Sequence, residues 1–204
     1  MRSKRTVDLH VSWNSKVSSK HPDLAVCVGL VEDTFVERSN AEIIELRNEV
    51  ETAVVGEYNI ETLKDNPTIR AYRDFYWKLG VDPTKIRPSG EALLRRILRS
   101  RGIPSISTVV DAYNLASLCT MIPISGFDRD LLNDPLHIRF AEANEKFIGI
   151  GMNTPQSLDE GTLVLEDRER ILCIYPYRDS NHTKISLTTR NVGLSPMEPR
   201  KSRL

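Results

Sequence analysis

RAYRDFYWKLGVDPTKIRPSGEALLRRILRSRGIPSISTVVDAYNLASLCTMIPISGFD, from Arg70 to Asp128, is the stretch whose reading decides the fold. Three helices are legible in and around it. Asn66-Pro67 just upstream gives a cap and a proline at the first helical position. Ile69, Tyr72, Tyr76 and Leu79 then recur at helical spacing, and Gly80 supplies the stop. Val81 to Pro88 is a connector with two prolines, after which Ser89 is placed to cap a second helix. Leu93, Leu94, Ile97 and Leu98 form its buried stripe, with Arg95, Arg96 and Arg99 on the other faces, and Gly102-Ile103-Pro104 ends it. Ser107 opens a third helix carrying Val109, Val110, Tyr113 and Leu118.

Outward from this block the pattern changes period. Thr6 to Trp13 alternates as a half-buried strand, and Leu24 to Val31 reads as a second, more continuously apolar one. Ser39 and Glu42 have capping-box spacing ahead of a helix that turns Ile43, Ile44, Leu46, Val50 and Val54 toward a core. After Asp128 strands are expected at Leu136 to Ala141, Gly161 to Leu165 and Arg170 to Tyr175, with Thr183 to Leu187 as a last one. The segment from Gly193 onward, GLSPMEPRKSRL, has two prolines and a basic end, and reads as disordered. The expectation is one α+β domain over residues 1–192 and a tail over 193–204.

With 204 residues, 40% hydrophobic and 27% charged, the composition is that of a globular chain able to bury a core. The net charge of zero says nothing about partners, but its distribution does. Between Arg70 and Arg101 there are nine Lys/Arg and three Asp/Glu, a local balance of plus six. Such a concentration fits RNA phosphates at Arg95, Arg96 and Arg99, or a solvated helix face. Cys27, Cys119 and Cys173 are far apart and odd in number, with no metal or disulfide spacing, and read as buried free thiols in a reducing cytoplasm. No signal-peptide core or membrane-length apolar run is visible, so no membrane partner is expected.

Four places carry polar chemistry: the basic helices and three shorter segments. Asn114 sits in mid-helix, where its amide can both donate and accept. Ser125-Gly126-Phe127 is a tight segment in which Gly126 permits close approach, and Ser125 lacks a nucleophile-elbow setting. Tyr177 to Lys184 (YRDSNHTK) is a polar turn whose His182 titrates in the range useful for proton transfer. Each has a plain alternative as an exposed or backbone-bonded side chain. No zinc spacing or cofactor motif is present in the sequence.

The segments YRDFYWKLGVDPTKIRPSGEALLRRIL, VVDAYNLASL, PISGFD and YRDSNHTKI, in that order between Pro67 and Asn191, resemble the B3/B4 domain of the phenylalanyl-tRNA synthetase beta subunit. Small free-standing proteins built around that domain are more similar still, and PDLAVCVGLVE near the N-terminus has a counterpart in them. The resemblance implies an α+β fold, an antiparallel or mixed sheet flanked by helices, with a pocket between. It implies editing: hydrolysis of tyrosine wrongly attached to the phenylalanine tRNA, by water assisted by backbone groups and the terminal ribose. It makes tRNA or aminoacyl-tRNA the expected partner, with no DNA and no ligase activity, and Asn114, Ser125, Gly126 and Phe127 the pocket residues. Two positions depart from the family: Ser125 stands where a His is common, and His182 where a Glu reads the tyrosine hydroxyl. Losing a buried hydroxyl-reading group changes selectivity strongly. Arg178, Asp179, Thr183 and Lys184 can then define another ligand chemistry, with His182 and Ser125 as the catalytic candidates. A non-catalytic RNA- or small-ligand-binding protein is the alternative, and an enzyme on a free amino acid the third.

Overall fold

The order of elements follows the change of period along the sequence. A computed structural model describes residues 10–199. In chain order the elements are β1 (Val11–Trp13), α1 (Ser15–Lys20), β2 (Leu24–Val26), β3 (Gly29–Val31), α2 (Ala41–Glu57), α3 (Pro67–Lys78), α4 (Ser89–Ile97), α5 (Thr108–Thr120) and β4 (Ile124–Asp128). There follow β5 (Leu136–Phe140), β6 (Lys146–Phe147), β7 (Gln156–Ser157), β8 (Leu163–Glu166), β9 (Ile171–Ile174), β10 (Arg178–Asp179) and β11 (Val192–Pro199). The α+β expectation holds, with strands and helices largely segregated along the chain.

One sheet runs β1-β5-β8-β9-β10, parallel at β1/β5 and antiparallel elsewhere. Its central strands read as nearly continuous apolar runs because both faces are covered. Leu163 and Leu165 enter the main core with Tyr72, Phe75 and Phe127, while Val164 points the other way to Phe147 and Leu158. A separate helical core joins α2, α4 and α5 through Ile43, Leu94, Leu115 and Leu118.

The second sheet corrects the reading of the tail. Val192–Pro199 is a strand, and it lies at the centre of this sheet: β4 pairs along one edge, β2 and β3 along the other. Residues 200–204 lie outside the described residues. The two prolines that argued against a strand are accommodated locally. Leu24 to Val31 keeps one antiparallel register against β11, from Leu24↔Pro199 to Val31↔Val192, and is interrupted only opposite Pro196. There Cys27 N–H donates to Pro196 O (3.1 Å), but the ring nitrogen has no proton to return. The expected single strand therefore appears as β2 and β3.

Other details shift by a residue or a face. The cap of α2 is Asn40, whose side chain accepts from Ile43 N–H at 2.9 Å, not Ser39. Ile43 and Val54 are buried, whereas Ile44 (47% exposed) and Leu46 (44%) face outward. Pro88 precedes α4 at the cap position, so Ser89 is its first residue and caps nothing. Asn66 and Ser107 cap α3 and α5 as read, and Gly80 takes φ 76° after α3. Cys27 and Cys119 are exposed; only Cys173 is buried, because the other two fall between β2 and β3 and on an outer helix face. Residues 183–187 form no strand. Residues 6–9 lie outside the described residues, and the rest of that expected strand is β1.

Met197 is 1% exposed inside the main core, and its carbonyl accepts from the Tyr72 hydroxyl at 2.8 Å. A disordered tail would tolerate Met197→Ala; a central strand predicts a loss of about 2–5 kcal/mol. That is a large part of a domain's typical total of about 5–15 kcal/mol. Urea unfolding of the variant checks this, and an unchanged midpoint would contradict the central position of β11.

Candidate functional site

β4 and β10 bring the polar segments together. Strand alternation sends Phe127 into the main core at 1% exposure, so it offers no surface to a ligand, contrary to the expectation for it. Gly126 and Ser125 precede it on the same strand. The Ser125 hydroxyl and the Gly126 backbone N–H face the carboxyl of Asp179, and Ser125 also reaches the buried Cys173 thiol. Behind them the Tyr175 hydroxyl and Ser195 Oγ share a 2.7 Å hydrogen bond. Ser195 is the cross-strand partner of Ser125 in the β4/β11 register, so the strand missed in the sequence supplies one wall of this polar cluster.

Asp179 is the titrating centre. Burial pushes its carboxyl up to about 6, and the nearby Ser125 hydroxyl and Gly126 N–H and the charge of Arg178 only partly offset this. The same carboxylate acts on its neighbours. Burial first, then Asp179, raises the Cys173 thiol, and burial followed by Asp179 and Asp111 raises the Tyr113 phenol. Gly126 is required by a close approach. A methyl built on it would stand 2.6 Å from Tyr113 Cε1 and 3.0 Å from Ile185 Cδ1, so these two side chains cover the glycine face. Neither was singled out from the sequence as a site residue.

The remaining candidates do not converge here. Asn114 is half-buried on α5, one residue and about 100° of helix from Tyr113, and makes no side-chain hydrogen bond among the described residues. His182 is exposed and lines a different groove of ≈ 660 Å³ with Ser12, His137 and Glu166. It therefore does not join the cluster at Gly126; Asp179, three residues earlier, is the acid beside that glycine. Arg178 points away from Asp179, its stem packed over Gly149 and its Nη1 donating to Ile150 O at 3.2 Å. Lys184 donates to Asn181 Oδ1 at 2.9 Å in an exposed setting. Thr183 is fully buried; its carbonyl accepts from Asp128 N–H at 2.8 Å, and its hydroxyl has no partner among the described residues.

The arginines of α4 line a separate hollow of ≈ 230 Å³. Arg95 is partly engaged: its Nε donates to Glu91 Oε1 at 2.7 Å. Glu91 is 1% exposed, and the same oxygen meets Arg73 Nη1 at 3.1 Å and Arg87 Nε at 4.0 Å. No group of three or more His, Cys, Asp or Glu with metal-holding geometry occurs among the described residues, and no helix of theirs is long and apolar enough to cross a membrane.

A module of α+β type with a half-buried carboxylate at a strand glycine is thus the class that fold and site define. The model of the B3/4 domain family matches residues 71–196, and the chain belongs to that family. Among its relatives, the phenylalanine–tRNA ligase beta subunit of Francisella tularensis is 34% identical over 97 residues, covering 48% of this chain and 12% of that protein. That of Nitrosococcus oceani is 32% identical over 115 residues, covering 56% and 14%. The chain thus spans only about an eighth of the length of these relatives. A solved N-terminal fragment of the phenylalanyl-tRNA synthetase beta subunit from Pyrococcus horikoshii overlays 95% of this chain and 44% of its own, with a TM-score of 0.48 and 15% identity.

The raised carboxyl has a stability consequence. An unfolded Asp titrates near 3.9, so below about pH 4 Asp179 is protonated in both states and costs nothing. As pH rises from there through about 6 the folded state must ionise a group it holds poorly, and stability falls. Asp179→Asn removes this titration while keeping an oxygen acceptor for Ser125 and Gly126. Its thermal midpoint should exceed that of the parent at pH 8, with the gap closing by pH 4. A gap independent of pH would rule out Asp179 as the titrating group.

Proposed function

We propose that this protein is a B3/4-type module that binds aminoacyl-tRNA and hydrolyses the ester of a mischarged one. The observation that carries this reading is the Asp179 carboxyl, held near 6 by burial and facing the Ser125 hydroxyl and the Gly126 N–H. A carboxylate of that basicity is mostly ionised at neutral pH yet accepts a proton far more readily than an exposed one, which suits a general base. The residues divide the work. Asp179 takes a proton from water as the water oxygen bonds to the ester carbonyl carbon. The protonated Asp179 then returns that proton to the ester oxygen, which leaves as the ribose hydroxyl as its bond to the carbonyl carbon breaks, and the carboxylate is regenerated. Ser125 orients the carboxylate by donating to it. A serine nucleophile is disfavoured, because no histidine of the described residues stands behind Ser125.

A second reading, RNA or small-ligand binding without turnover, is favoured by one observation: Tyr113 and Ile185 already occupy the space over Gly126. A substrate side chain must displace the Tyr113 ring or be small enough to stop short of it. Both readings derive from a family whose relatives are named as tRNA ligase subunits, and they differ in whether Asp179 transfers a proton.

Deacylation of a panel of mischarged tRNAs separates them. If Asp179 is the base, kcat/KM rises with pH through about 6 and levels off above 7, and Asp179→Asn loses about 10²–10⁴-fold. Ser125→Ala loses less and keeps the profile. Ester half-lives equal to those in buffer, across the whole panel, would leave the binding reading alone standing.

A further inference from the structure

The connector before α4, α4 itself and the turn after it surround the ≈ 230 Å³ hollow with six cationic side chains: Lys85, Arg87, Arg95, Arg96, Arg99 and Arg101. The remaining lining is Ala92. Six like charges at one hollow repel one another, and such a concentration creates a potential that draws in an anion. The only carboxylate paired with any of them among the described residues is Glu91, which sits buried behind the hollow and not in its mouth. We propose that this hollow is a preorganised phosphate clamp for an RNA backbone, with Glu91 as its positioning residue.

The attachment points of the arginines support a built site over a merely solvated face. Arg95 is tethered through Nε to Glu91, and Arg96 through Nε to Gly102 O at 3.2 Å. Arg87 meets Glu91 through Nε as well, at 4.0 Å. In each case the interaction uses the inner edge of the guanidinium. The outer edge, with both Nη nitrogens, makes no hydrogen bond among the described residues and is free for a bidentate contact with phosphate oxygens. Holding the stems in place beforehand lowers the rotamer entropy lost on binding. Glu91 therefore helps the clamp while neutralising only part of its charge, and its three arginine neighbours offset the cost of burying a carboxylate.

Size and lining name the occupant. The hollow is smaller than the roughly 300–1,000 Å³ of drug-sized ligand sites, which suits phosphate groups better than a nucleoside. It has no aromatic side chain on which a base could stack. Contacts limited to phosphate fix position and carry no sequence information. The clamp would thus take structured RNA by its backbone, independently of sequence. It extends the arginine set expected from the sequence by Lys85, Arg87 and Arg101, and shows Arg95 to be partly committed to the fold. The inference rests on the tRNA reading above but not on hydrolysis.

Fluorescence anisotropy of labelled, uncharged tRNA over a KCl series tests it. Arg96→Ala/Arg99→Ala should weaken binding about tenfold or more at low salt and reduce the salt slope by about one for each phosphate left without its arginine. Lys146→Ala/Arg168→Ala removes the same charge elsewhere on the surface and should leave both unchanged. Glu91→Gln, if folded by circular dichroism, should weaken binding although it makes the protein more positive; tighter binding would deny Glu91 a positioning role. Wild-type binding by the Arg96/Arg99 variant, or equal loss in the control, would overturn the clamp. Inorganic pyrophosphate binding more tightly than tRNA would assign the hollow to a free polyphosphate instead. Clamp variants that lose binding in a protein with no hydrolysis would sink only the hydrolytic reading; hydrolysis lost in Asp179→Asn with clamp variants binding normally would sink only the clamp.

Discussion

The backbone pairing of Val192–Pro199 is the constraint on which the other features depend. This strand joins β2 and β3 from the start of the chain to β4 from its middle. It also receives two buried hydroxyls from elsewhere, Tyr72 on α3 at Met197 O and Tyr175 after β9 at Ser195 Oγ. Without Met197 O the Tyr72 phenol would be a buried donor with no partner, at a cost of about 1–3 kcal/mol. The position of β4 follows from this pairing. So does the placement of Ser125 and Gly126 against β10, because β4 has no other strand partner among the described residues. The fold thus sets the site through a ladder whose middle is a Ser-Pro dipeptide, Ser195-Pro196.

This explains what the sequence made legible and what it hid. Elements stabilised by their own periodicity and caps, such as α3 with Asn66-Pro67 and α5 with Ser107, were readable because the deciding contacts are local. β11 was not, since Ser195, Pro196 and Pro199 are poor strand residues and only tertiary pairing makes a strand of them. The site shows the same division. Ser125, Gly126 and Asp179 were identifiable as polar chemistry at turns, but which of them meet depends on the β4/β11/β10 arrangement. His182 and Asp179 are three residues apart in one polar run, and nothing in their local sequence says which faces inward. Phe127 lies in the core because strand alternation, which a family resemblance does not carry, turns it inward. Arg95 looked like its neighbours until the buried Glu91 one turn earlier was placed beside it.

Two carboxylates, Glu91 fully buried and Asp179 half-buried, show how this domain treats charge withdrawn from water in opposite ways. Glu91 is buried among three arginines, which supply the counter-charge. Asp179 has neutral donors and a single arginine whose side chain turns away, so burial dominates and its proton is held up to about 6. Electrostatic design for stability alone would give Asp179 the surroundings of Glu91, or replace it with a neutral residue. An under-compensated carboxylate beside a glycine face is what the proposed role of Asp179 as a base requires.

The Tyr113 ring sets the terms on which that carboxylate can be used. It lies over Gly126, the one position on β4 where a side chain is missing, with Ile185 beside it, and burial, then the charge of Asp179, raises its phenol. Burial is what raises the Asp179 carboxyl, so its basicity depends on what fills the space around it. If a ligand displaced Tyr113 with an apolar group, Asp179 would stay dry and basic. If it displaced the ring with solvent, the carboxyl would drop toward its ordinary value and lose its advantage as a base. On the proposed hydrolytic reading, a productive ligand therefore replaces the ring it moves, and brings an apolar part of fitting shape beside a polar group that Ser125, the Gly126 N–H or Asp179 can meet.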